Sequence, residues 1–180
     1  MLYLSLLNVE NSIGIIAAII ATIGIVLTLF QLLQTKKIKK AEIISDLLKS
    51  IRSNPKISRI EYLLEYGETW YDNSFHESEI ELYIDDFLAH FNYICFLLDK
   101  KYIGKKEFEM FEYELGRIAN NYDCLCYLWN LYHWCLSQNK KCSFSYLISF
   151  IKKQMSKEKI TRFESSKEEM SGFTKYLNFD

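Results

Sequence analysis

Between Glu10 and Lys36 the chain carries no formally charged side chain, and the heart of that window, residues 13–33, reads IGIIAAIIATIGIVLTLFQLL. At about 1.5 Å of rise per helical residue this stretch spans roughly 31 Å, close to the hydrocarbon thickness of a bilayer. It predicts one transmembrane helix over residues 13–34. A secretory signal peptide fits less well. The start MLYLSLLNVEN has no base, the apolar run exceeds the usual length of about 7–15 residues, and it closes on Phe30-Gln31-Leu32-Leu33-Gln34 rather than on small residues. A buried helix of a small soluble domain does not need so long an uncharged run.

All 22 Lys and Arg residues follow this helix, and Lys36, Lys37, Lys39 and Lys40 follow it at once. The segment before it carries one acid and no base. The positive-inside bias then predicts an extracytoplasmic tail over residues 1–12 and residues 36–180 in the cytoplasm, in a single-pass protein of the inner or cell membrane. The four lysines are expected as membrane-interface anchors among lipid headgroups, and they attract anionic lipids at about 1 kcal/mol each near the surface. No charge lies inside the span, so the signature of a proton relay, an ion site or a voltage sensor is missing.

On a wheel of about 100° per residue, Gly14, Ala17, Ala18, Ala21, Thr22, Gly24 and Thr28 fall within about 160°. Small residues on one side let helix backbones approach closely, so this is a candidate helix-pairing face and a route to a homo-oligomer. Ile25 and Leu29 intrude on it, and Gly and Ala are also common in membrane helices generally.

Residues 36–180 hold 22 bases and 22 acids, a balance that offers no general field for nucleic acid. One Pro and six Gly in 180 residues leave long uninterrupted elements, which favours helices. Thirteen Tyr and twelve Phe supply core material for one compact domain. Five Cys, all on the cytoplasmic side, are expected as free buried thiols.

Ile38, Ala41, Ile44, Leu48 and Ile51 recur at three and four, a stalk helix over residues 35–54 that ends at Pro55. The helical domain is expected over residues 55–155. Its first helix turns Ile57, Ile60, Leu63 and Leu64 inward and stops at Gly67. Trp70 and Tyr71, in the next loop, are expected to pack rather than to bind. The central helix, residues 77–101, alternates Ile80, Ile84, Phe87, Phe91, Ile94 and Leu98, opens on a Ser74–Glu77 capping box and is ended by Gly104. Residues 105–122 form another helix, in which Gly116, costing about 1 kcal/mol against Ala, points to a close helix crossing. Residues 123–137 carry Leu125, Leu128, Trp129, Tyr132 and Leu136, and Ser143 is expected to cap a last helix with Phe144, Leu147, Ile148, Ile151 and Met155 inward. Residues 156–180 read as a loosely ordered polar C-terminal tail with a short helix near residues 167–170. The fold class is therefore all-α: one N-terminal transmembrane helix continuing into a cytoplasmic bundle of about five to six helices.

Charge is segregated within this neutral domain. From residue 61 to 99 there are ten acids and no base, with Glu61, Glu65, Glu68, Asp72, Glu77, Glu79, Glu81, Asp85 and Asp86 as the dense part. Such a run reads either as a solvated helix face paired with neighbouring bases or as an acidic docking surface for a basic partner. A carboxylate metal site would call for a Glu-x-x-His motif, which does not occur. Cys124, Cys126, His133, Cys135 and Cys142 invite a zinc reading, but Cys124 and Cys126 point to different sides of a helix, so no metal or other cofactor is expected. Asp86 and His90 are spaced to pair on one helix face. Cys95, with His90 or His133, is the one nucleophile pair on offer, and Cys95 lies on the apolar stripe where a thiol is inert packing. No G-x-S-x-G, phosphate-binding glycine loop or H-E-x-x-H occurs, so no catalytic residues are assigned.

The run IDDFLAHFNYICFLLDKKYIGKKEFEMFEYELGRI is similar to a bacterial family of single-pass proteins to which no activity is assigned. That family's pattern is an N-terminal membrane helix, a short stalk and a helical domain in which an apolar-Phe-x-apolar helix and a second helix flank a Gly-containing break. The resemblance covers most of residues 13–136. Asp99 through Gly104 matches the break, whereas the Cys-rich helix after it departs from the pattern. It implies a membrane anchor and no catalytic residues to carry over. Small membrane-anchored helical proteins of similar design serve as effectors in bacterial anti-phage defence.

The expected function is a non-catalytic, membrane-anchored helical interaction or scaffold protein. Its expected partners are membrane lipids, a protein on the cytoplasmic side and, through the membrane helix, a second copy; no nucleic acid is expected. The alternative is a membrane effector of a defence or toxin system that acts by oligomerisation of the transmembrane helix.

Overall fold

A computed structural model describes residues 2–173 and 175, with side chains from Gly14 onward. Among the described residues every regular element is helical. The chain divides into two compact units, Met1–Asp46 and Leu47–Asp180.

The first unit lies within helix α1, Leu2–Ser53. The uncharged stretch sits inside this unbroken helix, because nothing between Gly14 and Thr35 breaks the backbone ladder. The threonine hydroxyls, groups able to compete for backbone partners, bond inward along the helix. Thr22, Thr28 and Thr35 hydroxyls donate to the carbonyls of Ala18, Gly24 and Gln31, at 2.8, 2.8 and 2.9 Å. The predicted tail over residues 1–12 and the start of the span at Ile13 belong to the same helix from Leu2 on, and their side chains lie outside the described set.

In the second unit, the last turns of α1 bury Leu47 and Ile51. The helix stops at Ser53, and Asn54, in extended conformation, caps α2 (Pro55–Tyr66) by accepting from the Lys56 amide at 3.0 Å. Pro55 therefore opens a helix, at the one position where its missing N–H costs nothing. Gly67, at φ 67°, closes α2 in the left-handed conformation expected of it.

Helix α3 (Glu79–Asp99) packs on α2 and on α7 (Ser145–Gln154). It buries Ile84, Phe87, Leu88, Phe91, Ile94, Cys95 and Leu97; the two ends of the expected stripe, Ile80 and Leu98, are only half-buried, and Leu97 takes the inward place at the C-terminal end. Its ends differ from expectation. Ser78, not Ser74, is the cap and accepts from the Glu81 amide, while Glu81 reaches back to the Glu77 amide. Ser74 is held by Asp72 in a local turn. The helix stops at Asp99, Lys101 turns the chain at φ 60°, and Gly104 caps the next helix rather than ending this one.

The single helix expected over residues 105–122 is three pieces: α4 (Lys105–Phe108), a 3-10 turn (Glu109–Phe111) and α5 (Glu112–Asn120). Phe108 and Phe111, three apart, are both buried, and the tighter winding brings both onto one side. Asn121 then caps α6 (Tyr122–Ser137), which is buried all round from Asp123 to Asn130. Helix α7 has no cap from Ser143. Asn92 of α3 caps it across the core, its Oδ1 accepting from the Tyr146 and Leu147 amides, each at 3.0 Å. The short helix expected near residues 167–170 is α9 (Glu168–Ser171), but the segment before it is not loose: it forms α8 (Lys157–Glu164), and Phe163 and Phe173 are buried. Eight helices thus follow α1 among the described residues, two of them single turns of four residues, against the five to six expected.

Gly116 marks no close crossing. A Cβ there meets nothing described within 4 Å, and the residue lines a cleft of about 420 Å³ among α5, α7 and the start of α8. Gly116→Ala is therefore expected to stabilise the unit by about 0.5–1 kcal/mol, read as a rise in the midpoint of urea unfolding. A loss of stability would mean that the helix needs the glycine.

Candidate functional site

Two features stand apart from ordinary packing: the bare apolar surface of α1 and a polar centre in the second unit. In α1, none of the apolar window is buried. Twelve large side chains between Ile15 and Leu33 are each more than half exposed, from 53% at Leu32 to 65% at Ile20. A water-exposed surface of that size is far beyond what a soluble monomer shows. Gly14, Ala17, Ala18, Ala21, Thr22, Gly24 and Thr28 are all exposed, and Gly14 and Gly24 have open space where a side chain would stand. Lys36, Lys37 and Lys39 are exposed and Lys40 is half-buried.

The polar centre lies outside the residues that the sequence patterns mark. Asp123, in the first turn of α6, is 6% exposed. Its Oδ2 accepts from the amides of Trp70 and Tyr71 at 2.8 and 3.3 Å, and its Oδ1 takes the Lys175 ammonium at 2.7 Å. One carboxylate thereby ties the loop after α2 and the C-terminal segment to α6. Asn130, two turns on, donates to the Tyr71 hydroxyl at 2.7 Å and to the Lys175 carbonyl at 3.1 Å. Trp70, Tyr71, Phe75 and Tyr127 close over the centre as an aromatic cluster with ring centroids 5.1–6.5 Å apart. Trp70 and Tyr71 thus pack, as expected. The Asp123–Lys175 pair lines an open cleft of about 480 Å³ that also takes in Glu65, Glu68 and Arg117. A signal for this centre exists: Cys124 to Trp129 is apolar on every side of the helix, so the polar residues that bracket it must be buried too.

The acidic run is spread over several directions, and most of it has internal partners. Glu65 pairs with Arg117 at 3.1 Å, and Arg117 also donates to the Glu61 carbonyl. Asp72 holds Ser74, Glu79 accepts from the Tyr83 hydroxyl, and Glu81 bonds His76 at 2.9 Å. Asp86 lies 3.9 Å from Lys56, a long surface pair, where the sequence suggests His90. Asp85 accepts from the buried Tyr127 hydroxyl at 2.6 Å. Glu68 and Glu77 point outward into solvent.

Burial pushes the Asp85 carboxyl above its ordinary range, against the lowering effect of the Tyr127 hydrogen bond. The folded unit therefore holds the Asp85 proton more tightly than the unfolded chain does. The stability linked to that proton is complete below about pH 4 and is lost as pH rises through the higher folded value. Asp85→Asn keeps an acceptor for Tyr127 and removes the charge. It is expected to gain stability over wild type at neutral pH, with the gap closing as pH falls toward 4; a gap independent of pH would rule out this origin.

All five cysteines are free and buried. Burial raises Cys95 to about 12 and Cys126 and Cys142 to about 11, which keeps these thiols protonated and unreactive. His90 is pushed down by burial. Among the described residues no three His, Cys, Asp or Glu side chains converge as a metal-binding group.

Compared with protein-family models, curated proteins and solved structures, the chain matches none of them.

Proposed function

We propose that this is a single-pass membrane protein, N-terminus outside, whose second unit lies in the cytoplasm and binds a protein partner without catalysing a reaction. The observation that carries the reading is the apolar window of α1, exposed at every position. Lipid is the solvent that such a surface fits, and the inward-bonded threonine hydroxyls suit hydrocarbon because they leave no polar group to solvate. The lysines that follow at once supply the orientation. The second unit, with its own core, is the interaction body of a membrane-anchored scaffold. Its protein-facing contacts are the exposed acids Glu68, Glu77 and Glu79, since the Glu65, Glu81 and Asp85 carboxylates are engaged by Arg117, His76 and Tyr127. In-cell crosslinking of the full chain is expected to trap a protein partner, and Glu68→Gln, Glu77→Gln and Glu79→Gln together are expected to weaken the trapped complex. A partner retained in full would sink the acidic docking idea.

A second reading is favoured by the exposed small-residue face of α1: an effector that associates with a second copy through this face and disturbs the bilayer. In that case Ala17→Leu and Gly24→Leu abolish oligomers and membrane depolarisation together. Unchanged depolarisation would exclude the mechanism.

A further inference from the structure

We propose that the seat filled by the chain's own Gly172, Phe173 and Lys175 is a peptide-binding site for a protein partner carrying an aromatic-x-lysine segment, with these C-terminal residues as its displaceable occupant. The inference rests on the interaction reading above and supplies the partner's chemistry.

The seat reads its occupant in four ways. Phe173, 6% exposed, packs between the rings of Tyr122 and Phe163, with centroids 6.4 and 5.9 Å away. Asp123 takes the lysine ammonium at 2.7 Å. The Tyr122 hydroxyl donates to the Gly172 carbonyl at 3.0 Å, and Asn130 donates to the Lys175 carbonyl at 3.1 Å. An aromatic pocket, one charge and two backbone contacts are how extended peptides are recognised generally: main-chain bonds give affinity and the pockets give sequence preference.

The seat is held in shape by groups other than its occupant. The Trp70 and Tyr71 amides fix the Asp123 carboxylate, and the Tyr71 hydroxyl fixes the Asn130 amide group. Both stay aimed when the segment leaves. Exchange also has a path, because the Asp123–Lys175 pair lines the open cleft. Gly172, at φ 69°, forms the turn into the segment in a conformation that favours glycine, directly after the single turn of α9. On the same cleft Glu65 is paired with Arg117 at 3.1 Å, which leaves Asp123 and the exposed Glu68 as the carboxylates that meet an incoming lysine.

The test uses the full-length chain in detergent and a labelled peptide of residues 168–175, EEMSGFTK, read by fluorescence anisotropy. A chain with Phe173→Ala and Lys175→Ala has lost the cis anchors and is expected to bind the peptide about tenfold or more tightly than wild type, whose own segment competes at high effective concentration. Lys175→Glu within the peptide is expected to remove the binding. Equal affinity for both chains, or no affinity in the variant, would overturn the proposal. Hydrogen exchange on the wild type decides the case even if the variant misfolds. The Phe173 amide is expected to exchange about a hundredfold or more faster than the amide of Leu128, and exchange at the same rate would show that the segment leaves only on global unfolding. A stable wild-type dimer that Lys175→Glu dissociates would assign the seat to a second copy and overturn the partner assignment. These arms contain no cellular partner, so their failure removes the site alone, whereas failure of in-cell crosslinking removes the interaction reading.

Discussion

Asp123→Ala is expected to destabilise the second unit by about 3–5 kcal/mol, against a total of about 5–15 kcal/mol for an ordinary domain. The loss has three parts. The amides of Trp70 and Tyr71 keep their burial and lose their acceptor, which costs about 1–3 kcal/mol for each unsatisfied group. The Lys175 ammonium loses its partner at 2.7 Å. The aromatic cluster over the centre then loses the loop that aims it, because Trp70, Tyr71 and Phe75 all sit on that loop. Asp123→Asn separates these parts. Its carbamoyl oxygen still accepts from both amides, so only the ion pair goes, and a loss of about 1–2 kcal/mol is expected. Tryptophan fluorescence in urea reads both variants cleanly, since the three Trp residues all lie in this unit. Equal losses for Ala and Asn would show that the amide bonds contribute nothing.

Ile23→Lys with Val26→Lys is expected to keep the protein out of the membrane. Both positions lie near the middle of the apolar window, and both are more than half exposed, so neither lysine finds a protein partner within the chain. At the centre of a spanning helix a lysine costs about 3 kcal/mol on the insertion scale, so the pair costs about 6 kcal/mol, or roughly four orders of magnitude in the insertion equilibrium. Lys side chains reach the interface only from helix ends, which these positions are not. The expected readout is loss of the chain from alkali-washed membranes, with Ile23→Val and Val26→Ile retained as wild type. Full retention of the lysine pair would mean that the helix is shielded from lipid.

What the sequence made legible follows from how local each cause is. Uncharged length is a property of consecutive residues, so the long helix α1 is readable without a partner. The stripe Ile84, Phe87, Phe91 and Ile94 is equally local, and these residues are buried as the spacing implies. Gly67 and the break before Pro55 are also local, set by backbone conformations that few residues adopt. What escaped was settled across distance. Ser78 rather than Ser74 caps α3, a choice made by which serine the fold leaves in extended conformation. Asn92 caps α7 from another helix, 54 residues away, and no window along the chain contains both. The tail looked loose because its two anchors, Phe163 and Phe173, sit among polar residues; their burial depends on α6 and not on their neighbours. Lys175 and Asp123 are likewise 52 residues apart, and only the all-round apolar run between Asp123 and Asn130 hints that either is special. The acidic run is legible as a run but not in its three-dimensional partners. Its density in sequence suggests one surface, whereas α2, the loop and α3 direct its members to Arg117, Ser74, His76 and Tyr127.

Whether α1 crosses the bilayer with the second unit inside is read by an alkaline wash of one membrane sample and by sided proteolysis of separate, unwashed spheroplasts and inverted vesicles. The full-length chain is expected to stay in the washed membranes. Protease added outside intact spheroplasts leaves residues 47–180 whole, and protease added to inverted vesicles digests them. Release by alkali, or digestion of that unit from the outside, would contradict it.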